Sequence, residues 1–293
     1  MDRRLINEDL APVAKRKRTW SMWNIAALWV GMAICIPTYT LASGLVNQGF
    51  SWQASVCAII LGNMIVLVPM LLNAHAGTKY GIPFPVFLRS SFGIYGSNIP
   101  AMMRALVACG WFGIQTWVGG SALFKLFLVV FPDSPTLPVF LPDFFGISSG
   151  EFVAFLLFWL LNVAIIYRGI DSIRILETWS APFLLATGIA LFLWAVSRVG
   201  SLNMLFHESA PVTKSFWQAI LGVGLTSGVA YWGTLALNIP DFSRFAKSQR
   251  DQIVGQSLGL VPTMAFYAFI GAIVTNATFI IFGMRISDPV ELI

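Results

Sequence analysis

The chain has 293 residues, 57% of them hydrophobic and only 11% charged, with a mean hydropathy of +0.77. Soluble domains carry about 25% charged residues, and a soluble fold of this length could not bury so much apolar surface, which excludes a soluble enzyme. The net charge of +5 is spread over short loops between apolar runs rather than gathered on one face, which argues for a membrane topology signal and against a nucleic-acid partner.

An apolar run of about 20 residues spans a bilayer, and the sequence predicts seven. A polar tail over about residues 1–19 carries Arg3, Arg4, Lys15, Arg16, Lys17 and Arg18. Helix 1 is expected from Trp20 to Val46, too long for the apolar part of a cleavable signal. Helix 2 follows from Trp52 to Asn73. A linker from Gly77 to Asn98 leaves room for a short amphipathic helix around Phe87–Ser91. Helix 3 is expected from Ile99 to Phe131, then a loop with Pro132, Pro135, Pro138 and Pro142. Helix 4 covers Glu151–Tyr167, helix 5 Ile173–Val196, helix 6 Ser215–Ile239 and helix 7 Ile253–Met284. The last residues, Asp288 to Ile293, read as a loop leading into a further element, so a C-terminal truncation is expected.

With the N-terminus in the cytoplasm, fourteen of the 18 Lys and Arg residues fall on the inner side and four (Lys125, Arg198, Lys214 and Arg285) on the outer. The excess sets the orientation, and it excludes a seven-helix receptor, whose N-terminus lies outside. Cys35, Cys57 and Cys109 all lie in apolar runs, form no C-x-x-C pair and leave an odd count, which argues against a disulfide framework. No H-E-x-x-H, P-loop or paired Cys/His cluster is present, and the expectation is no enzyme, no bound metal cluster and no cofactor. His75 lies at a helix end and His207 in a loop.

Two helices look interrupted. Gly31, Pro37 and Gly44 fall in helix 1; Gly222, Gly224, Gly228 and Gly233 fall in helix 6, which Pro240 ends. Irregular backbone is tolerated in a membrane only where protein or a water-filled cavity satisfies it. Helices 1 and 6 are five apart and run in opposite directions, and interrupted helices at matching places in inverted halves mark a transporter binding site. The alternative for any single glycine is a packing contact between helices.

Three blocks carry a family resemblance. The first is Asn7-Glu8-Asp9-Leu10-Ala11-Pro12-Val13 with Arg18-Thr19-Trp20 and Ala27-Leu28-Trp29-Val30-Gly31-Met32. The second is Gly110-Trp111-Phe112-Gly113-Ile114-Gln115-Thr116-Trp117. The third is Asn238-Ile239-Pro240-Asp241-Phe242-Ser243-Arg244-Phe245. In this order the chain resembles the nucleobase–cation symporter family, permeases for cytosine, uracil, purines, allantoin, hydantoins and thiamine. The resemblance implies an all-α integral membrane protein with a leucine-transporter-type inverted-repeat fold, holding about seven of about twelve transmembrane helices. After the tail, one transporter domain would run over 20–293, with a first five-helix repeat over about 20–198 and the start of an inverted second repeat over about 215–293.

Trp111 and Gln115 are four apart on one helix face. An indole gives a planar heterocycle a stacking surface, and a carboxamide offers both donor and acceptor to an amide edge. The resemblance makes both of them substrate contacts, and adds Trp232 as a second stacking ring. Tyr231 stands where the hydantoin-carrying branch has a small residue, and Cys35 where it has a glutamine, so hydantoin itself is disfavoured. A coupling ion, sodium or proton, is implied. A sodium ion would be held partly by the backbone carbonyls of Gly31 and Ile34, with further ligands on an eighth helix that these residues do not include. The function expected is import of a small planar heterocycle by cation symport, through a multi-pass protein of the cell membrane whose partners are substrate and lipid bilayer. The competing expectation is a truncated family fragment without transport activity. The remaining charges get simpler readings: Glu177 pairs with Arg174 or a loop charge, Arg104 snorkels to the interface, and Asp241 and Arg244 brace the cytoplasmic gate.

Overall fold

The computed structural model describes residues 7–132, 146–206 and 211–292. Arg3, Arg4, Pro135, Pro138, Pro142, His207 and Glu208 lie outside them. Among the described residues, six stretches are long and apolar enough to cross a membrane: α3 (Trp52–Tyr80), α6 (Asn98–Val130), α7 (Ser149–Tyr167), α8 (Ile170–Val199), α10 with α11 (Phe216–Ile220 and Val223–Asn238) and α13 (Gln249–Phe282). The pair α1 (Met22–Ala33) and α2 (Ile36–Asn47), bent by 56° at its junction, makes the seventh. The connecting helices are α4 (Phe84–Phe87), α5 (Arg89–Gly96), α9 (Leu202–Phe206) and α12 (Pro240–Ser243).

The chain divides into two compact units, Met1–Arg104 with Glu177–Ser287, and Ala105–Leu176 with Asp288–Ile293. In the first, α1 begins at a capping box: Asn24 Oδ1 accepts from the Ser21 N–H at 3.1 Å. It ends where Ile34 leaves helical geometry (φ −85°, ψ 84°) and Cys35 is extended (φ −146°, ψ 161°). Pro37 does not kink a continuous helix, as its place within one long apolar run suggested. It lies in the first turn of α2, where a missing N–H breaks no intrahelical bond.

Some helices overrun their apolar stretches because no breaker stops them. α3 continues seven residues past Asn73 to Tyr80 and ends only at Gly81, whose φ of +73° makes the left-handed cap. α13 starts at Gln249, four residues before Ile253, because the Ser248 hydroxyl accepts from the Asp251 N–H at 3.1 Å. The amphipathic helix expected around Phe87–Ser91 is instead the pair α4 and α5, with Gly93 at φ +72° inside α5.

The two most extensive helix contacts in this unit are α1 with α13 and α3 with α11. α1 and α13 start side by side: Asp251 Oδ1 accepts from the Met22 N–H at 2.9 Å. They stay parallel, because a Cβ on Gly255 would meet Met22 O at 2.7 Å and one on Gly259 would meet Trp29 Cβ at 2.7 Å. α3 and α11 are parallel too, with Gly62 against Gly228 and Asn73 Nδ2 donating to Ala236 O at 2.9 Å. An exchange of helix 1 with 6 and of helix 2 with 7 turns one contact into the other, the pattern of an inverted repeat.

In the second unit α6 and α7 pack antiparallel. A Cβ on Gly120 would meet Phe155 Cα at 2.6 Å, Gly119 lies against the Phe158 ring, and Gly150 against the Phe124 ring. α7 opens with a capping box in which Glu151 accepts from the Ser148 N–H at 2.9 Å.

Candidate functional site

The break between α1 and α2 brings together residues far apart in sequence. The Tyr231 hydroxyl on α11 lies 3.0 Å from Thr38 Oγ1 and 3.4 Å from Cys35 Sγ, and these last two are also 3.4 Å apart. Trp232 sits edge-on to Trp29, with ring centroids 5.1 Å apart and planes at 84°, and edge-on to Tyr231 at 5.0 Å and 88°. Trp29 is fully buried and Trp232 8% exposed, and neither indole N–H has a partner. Buried donors without partners are uncommon in folded proteins and call for an explanation. The arrangement offers aromatic surface, two hydroxyls, a thiol and open donors, which suits a flat ring bearing carbonyl oxygens.

Of the residues singled out in sequence, Cys35, Tyr231 and Trp232 are thus brought together in the first unit. Trp111 and Gln115 lie one turn apart on α6, half-buried, in the second unit. Thr38 and Trp29 were missed. A hydroxyl one turn beyond Cys35 was the available signal for Thr38, shared with Thr40 and Ser43 of the same helix; Trp29 stood inside the first quoted block.

Gly31 and Ile34 sit where α1 ends. The Cys35 N–H turns to Ala33 O at 3.1 Å instead of to Gly31 O, so the Gly31 carbonyl loses its helical donor. Such a carbonyl is suited to a hard cation. The Glu177 carboxylate of α8 lies directly against Gly31, in the space a side chain would fill. The pairing expected for Glu177 is therefore corrected. Arg174 pairs with Asp171 at 3.4 Å, and the Glu177 carboxylate lies against Gly31, the only position on α1 without a Cβ.

Arg104 is also corrected. Its side chain does not run out to the interface but donates from Nε to Asn238 Oδ1 at 2.8 Å, because a half-buried amide is within reach on α11. Asn238 Nδ2 faces Asp241 Oδ2 at 3.4 Å, Asp241 Oδ1 accepts from the Phe84 N–H at 2.8 Å, and Arg244 Nη1 donates to Asp9 O at 2.6 Å. Burial pushes the Asp241 carboxyl above its ordinary range, opposed by the Phe84 and Asn238 hydrogen bonds and by the Arg244 and Arg104 charges. Burial likewise lowers the Arg244 guanidinium, opposed by Asp241 and Asp9.

A family model for permeases of cytosine/purines, uracil, thiamine and allantoin matches residues 12–293. The chain belongs to this family. It is 45% identical over its whole length to the purine-uracil permease NCS1 of Arabidopsis thaliana, covering 48% of that protein. It is 39% identical to the allantoin permease of Bacillus subtilis, over 99% of this chain and 59% of the relative. The chain thus spans about half the length of these relatives. Among solved structures it is similar to Mhp1, a nucleobase-cation-symport-1 family transporter held closed with bromovinylhydantoin bound. There the TM-score is 0.78 at 24% identity, covering 98% of this chain and 63% of that one. The inward-facing form of Mhp1 gives a TM-score of 0.75 at 25% identity. The leucine-transporter-type fold expected from the sequence is therefore the fold found, and the relatives of this chain are permeases and transporters rather than enzymes.

Proposed function

We propose that this permease moves a planar, amide-edged heterocycle of the uracil or allantoin type across the membrane together with a cation, the N-terminus lying in the cytoplasm. The observation that carries this reading is the cluster at the α1–α2 break, where Trp29, Tyr231 and Trp232 form an aromatic corner beside the Thr38 hydroxyl and Cys35 thiol. Relatives named for purine-uracil and allantoin transport support the substrate class. The family resemblance makes Trp111 and Gln115 of α6 substrate contacts as well. Tyr231 fills volume and adds a hydroxyl beside Trp232, which favours a small polar ring over a hydantoin with a bulky substituent.

The Gly31 and Ile34 carbonyls are assigned to the coupling ion, because the break frees backbone acceptors there. Coupling requires substrate and ion to favour the same conformation. The test is uptake of labelled uracil, cytosine, allantoin and a hydantoin by cells expressing the full-length gene product, with and without a sodium gradient. Saturable uptake of uracil or allantoin that collapses with the ion gradient is the expected result. Absence of uptake for all four, with the protein present in the membrane, would overturn the substrate class.

A further inference from the structure

The end of the first unit where α1 begins is fastened by one arginine. Arg18 donates from Nη1 to the Thr78 carbonyl at 2.8 Å and to the Lys79 carbonyl at 3.4 Å, and from Nε to Val13 O at 3.0 Å. Thr78 and Lys79 lie in the last turn of α3, where carbonyls have no helical donor. The Val13 N–H adds a bond to Gly81 O at 2.8 Å. Just beyond Arg18, the Trp20 N–H donates to Phe245 O at 3.0 Å and the Lys247 N–H to Trp20 O at 2.9 Å. The Trp20 ring is 1% exposed and stacks on Phe245, with centroids 5.6 Å apart.

What these anchors hold in place is charge. Between Val13 and Arg18 runs a short 3-10 turn, Lys15–Lys17, with all three side chains exposed. Lys79, also exposed, is on the turn of α3 to which Arg18 is bound. Among the described residues, none of these four side chains has an ion-pair or hydrogen-bond partner. Glu8 and Asp9 lie earlier in the segment, and Asp9 already faces Arg244. Neighbouring cations repel one another, and a bound anion offsets that cost.

Two aromatic rings set the depth. Tyr80, 56% exposed, ends α3 beside the Lys79 ammonium, which lies 5.4 Å from its ring centroid. Trp23, 67% exposed, stands in the first turn of α1. Exposed Trp and Tyr at the ends of membrane helices sit at the level of the lipid headgroups. We infer that Lys15, Arg16, Lys17 and Lys79 form a fixed site for the headgroup phosphate of an anionic glycerophospholipid, in the leaflet that meets the N-terminal segment. Lipid phosphate is the abundant anion at that depth. Calling this leaflet cytoplasmic rests on the proposed function; the site itself does not.

The test uses the full-length permease in nanodiscs of phosphatidylcholine, with or without phosphatidylglycerol. Mass spectrometry reads trypsin nicking after Lys15, Arg16 and Lys17, and, under native conditions, the lipid retained. A basic residue near an anionic surface is worth about fivefold in affinity. Phosphatidylglycerol should therefore slow nicking by about fivefold or more, and be retained in preference to phosphatidylcholine. The combined variant Lys15→Gln, Arg16→Gln and Lys17→Gln, read by retention alone, should lose the preference. Arg18→Gln keeps all four cations but cuts the bonds to α3, and it should lose the protection from trypsin. Full protection in Arg18→Gln would mean that charge on a loose segment suffices, and would overturn the fixed site. Equal nicking in both kinds of disc, or equal protection by inorganic phosphate in phosphatidylcholine discs, would overturn the lipid. Neither readout involves transport, so a failure of uptake would sink the substrate reading and leave this site standing.

Discussion

The two broken helices of the first unit put their breaks to different use. The α1–α2 break falls midway, between two segments of 12 residues each. It is lined with chemistry: Cys35 and Thr38 on one side, the Gly31 backbone and Glu177 on the other. The α10–α11 break comes after only 5 helical residues, at Leu221 and Gly222, and Leu221 is 77% exposed. The later glycines, Gly224 and Gly228, do not break α11 at all. They let it press against Ala58 and Gly62 of α3. So helix 1 contributes its break to the candidate site, and helix 6 contributes its regular part, which carries Tyr231 and Trp232. Inverted repeats share a topology without sharing a division of labour.

The largest expected effect comes from the regular part of helix 6. Trp232→Ala removes a ring that contacts both Trp29 and Tyr231. Stacking a heterocycle on an aromatic side chain is worth about 1–3 kcal/mol, so saturable uptake should fall roughly tenfold to a hundredfold, with normal membrane insertion. Trp111→Ala should lose a similar factor. Wild-type kinetics in both variants would remove the stacking model and leave helix 6 as a packing element alone.

Next in size is a test of the packing role. A Cβ on Gly62 would lie 2.9 Å from the backbone of Gly228 and Val229, which cannot move aside as a side-chain end could. Gly62→Ala should lower stability by about 1–3 kcal/mol, read as a lower unfolding midpoint in detergent. An unchanged midpoint would mean that α3 and α11 separate easily.

The two breaks can then be compared directly by adding one methyl to each. In Gly31→Ala the methyl meets the Glu177 carboxylate, the end of a flexible side chain, so the carboxylate should swing away at little cost in stability. Uptake should drop severalfold if that carboxylate belongs where it lies. Gly222→Ala meets only Gln218 O, at the far end of the second break, and should reduce uptake less. Equal effects on uptake would erase the distinction between the breaks.

Much of this was legible in sequence because bilayer physics is strict: seven apolar runs gave seven spans, and the three quoted blocks gave the family. The break itself was harder to place. Pro37 drew attention within helix 1, yet the helix stops at Ile34, and nothing in Ile34-Cys35 announces an end. Glycines in helix 6 read alike as breaks or as packing, and only the partner helix distinguishes Gly222 from Gly228. Charged groups inside the membrane were misread for a similar reason. Arg104 and Glu177 were assigned to solvent or to neighbours in sequence, whereas their contacts, Asn238 and Gly31, are long-range and leave no local pattern.

The smallest effect concerns Asp241, beside the helix that the second break begins. Its carboxyl is raised mainly by burial, and the charges of Arg244 and Arg104 only partly offset that. A folded-state value above the unfolded one means that the native protein holds this proton more tightly. Its contribution to stability is then fully present below the unfolded value, near 3.8, and is lost as pH rises through the folded one. Asp241→Asn keeps an acceptor for the Phe84 N–H while removing the charge. Its unfolding midpoint should therefore vary less with pH across the acid range than that of the wild type, and near neutral pH it should match or slightly exceed it. A variant that is clearly less stable at neutral pH would mean that the charges of Arg244 and Arg104 outweigh desolvation, and that this end of helix 6 is held by charge rather than by hydrogen bonds.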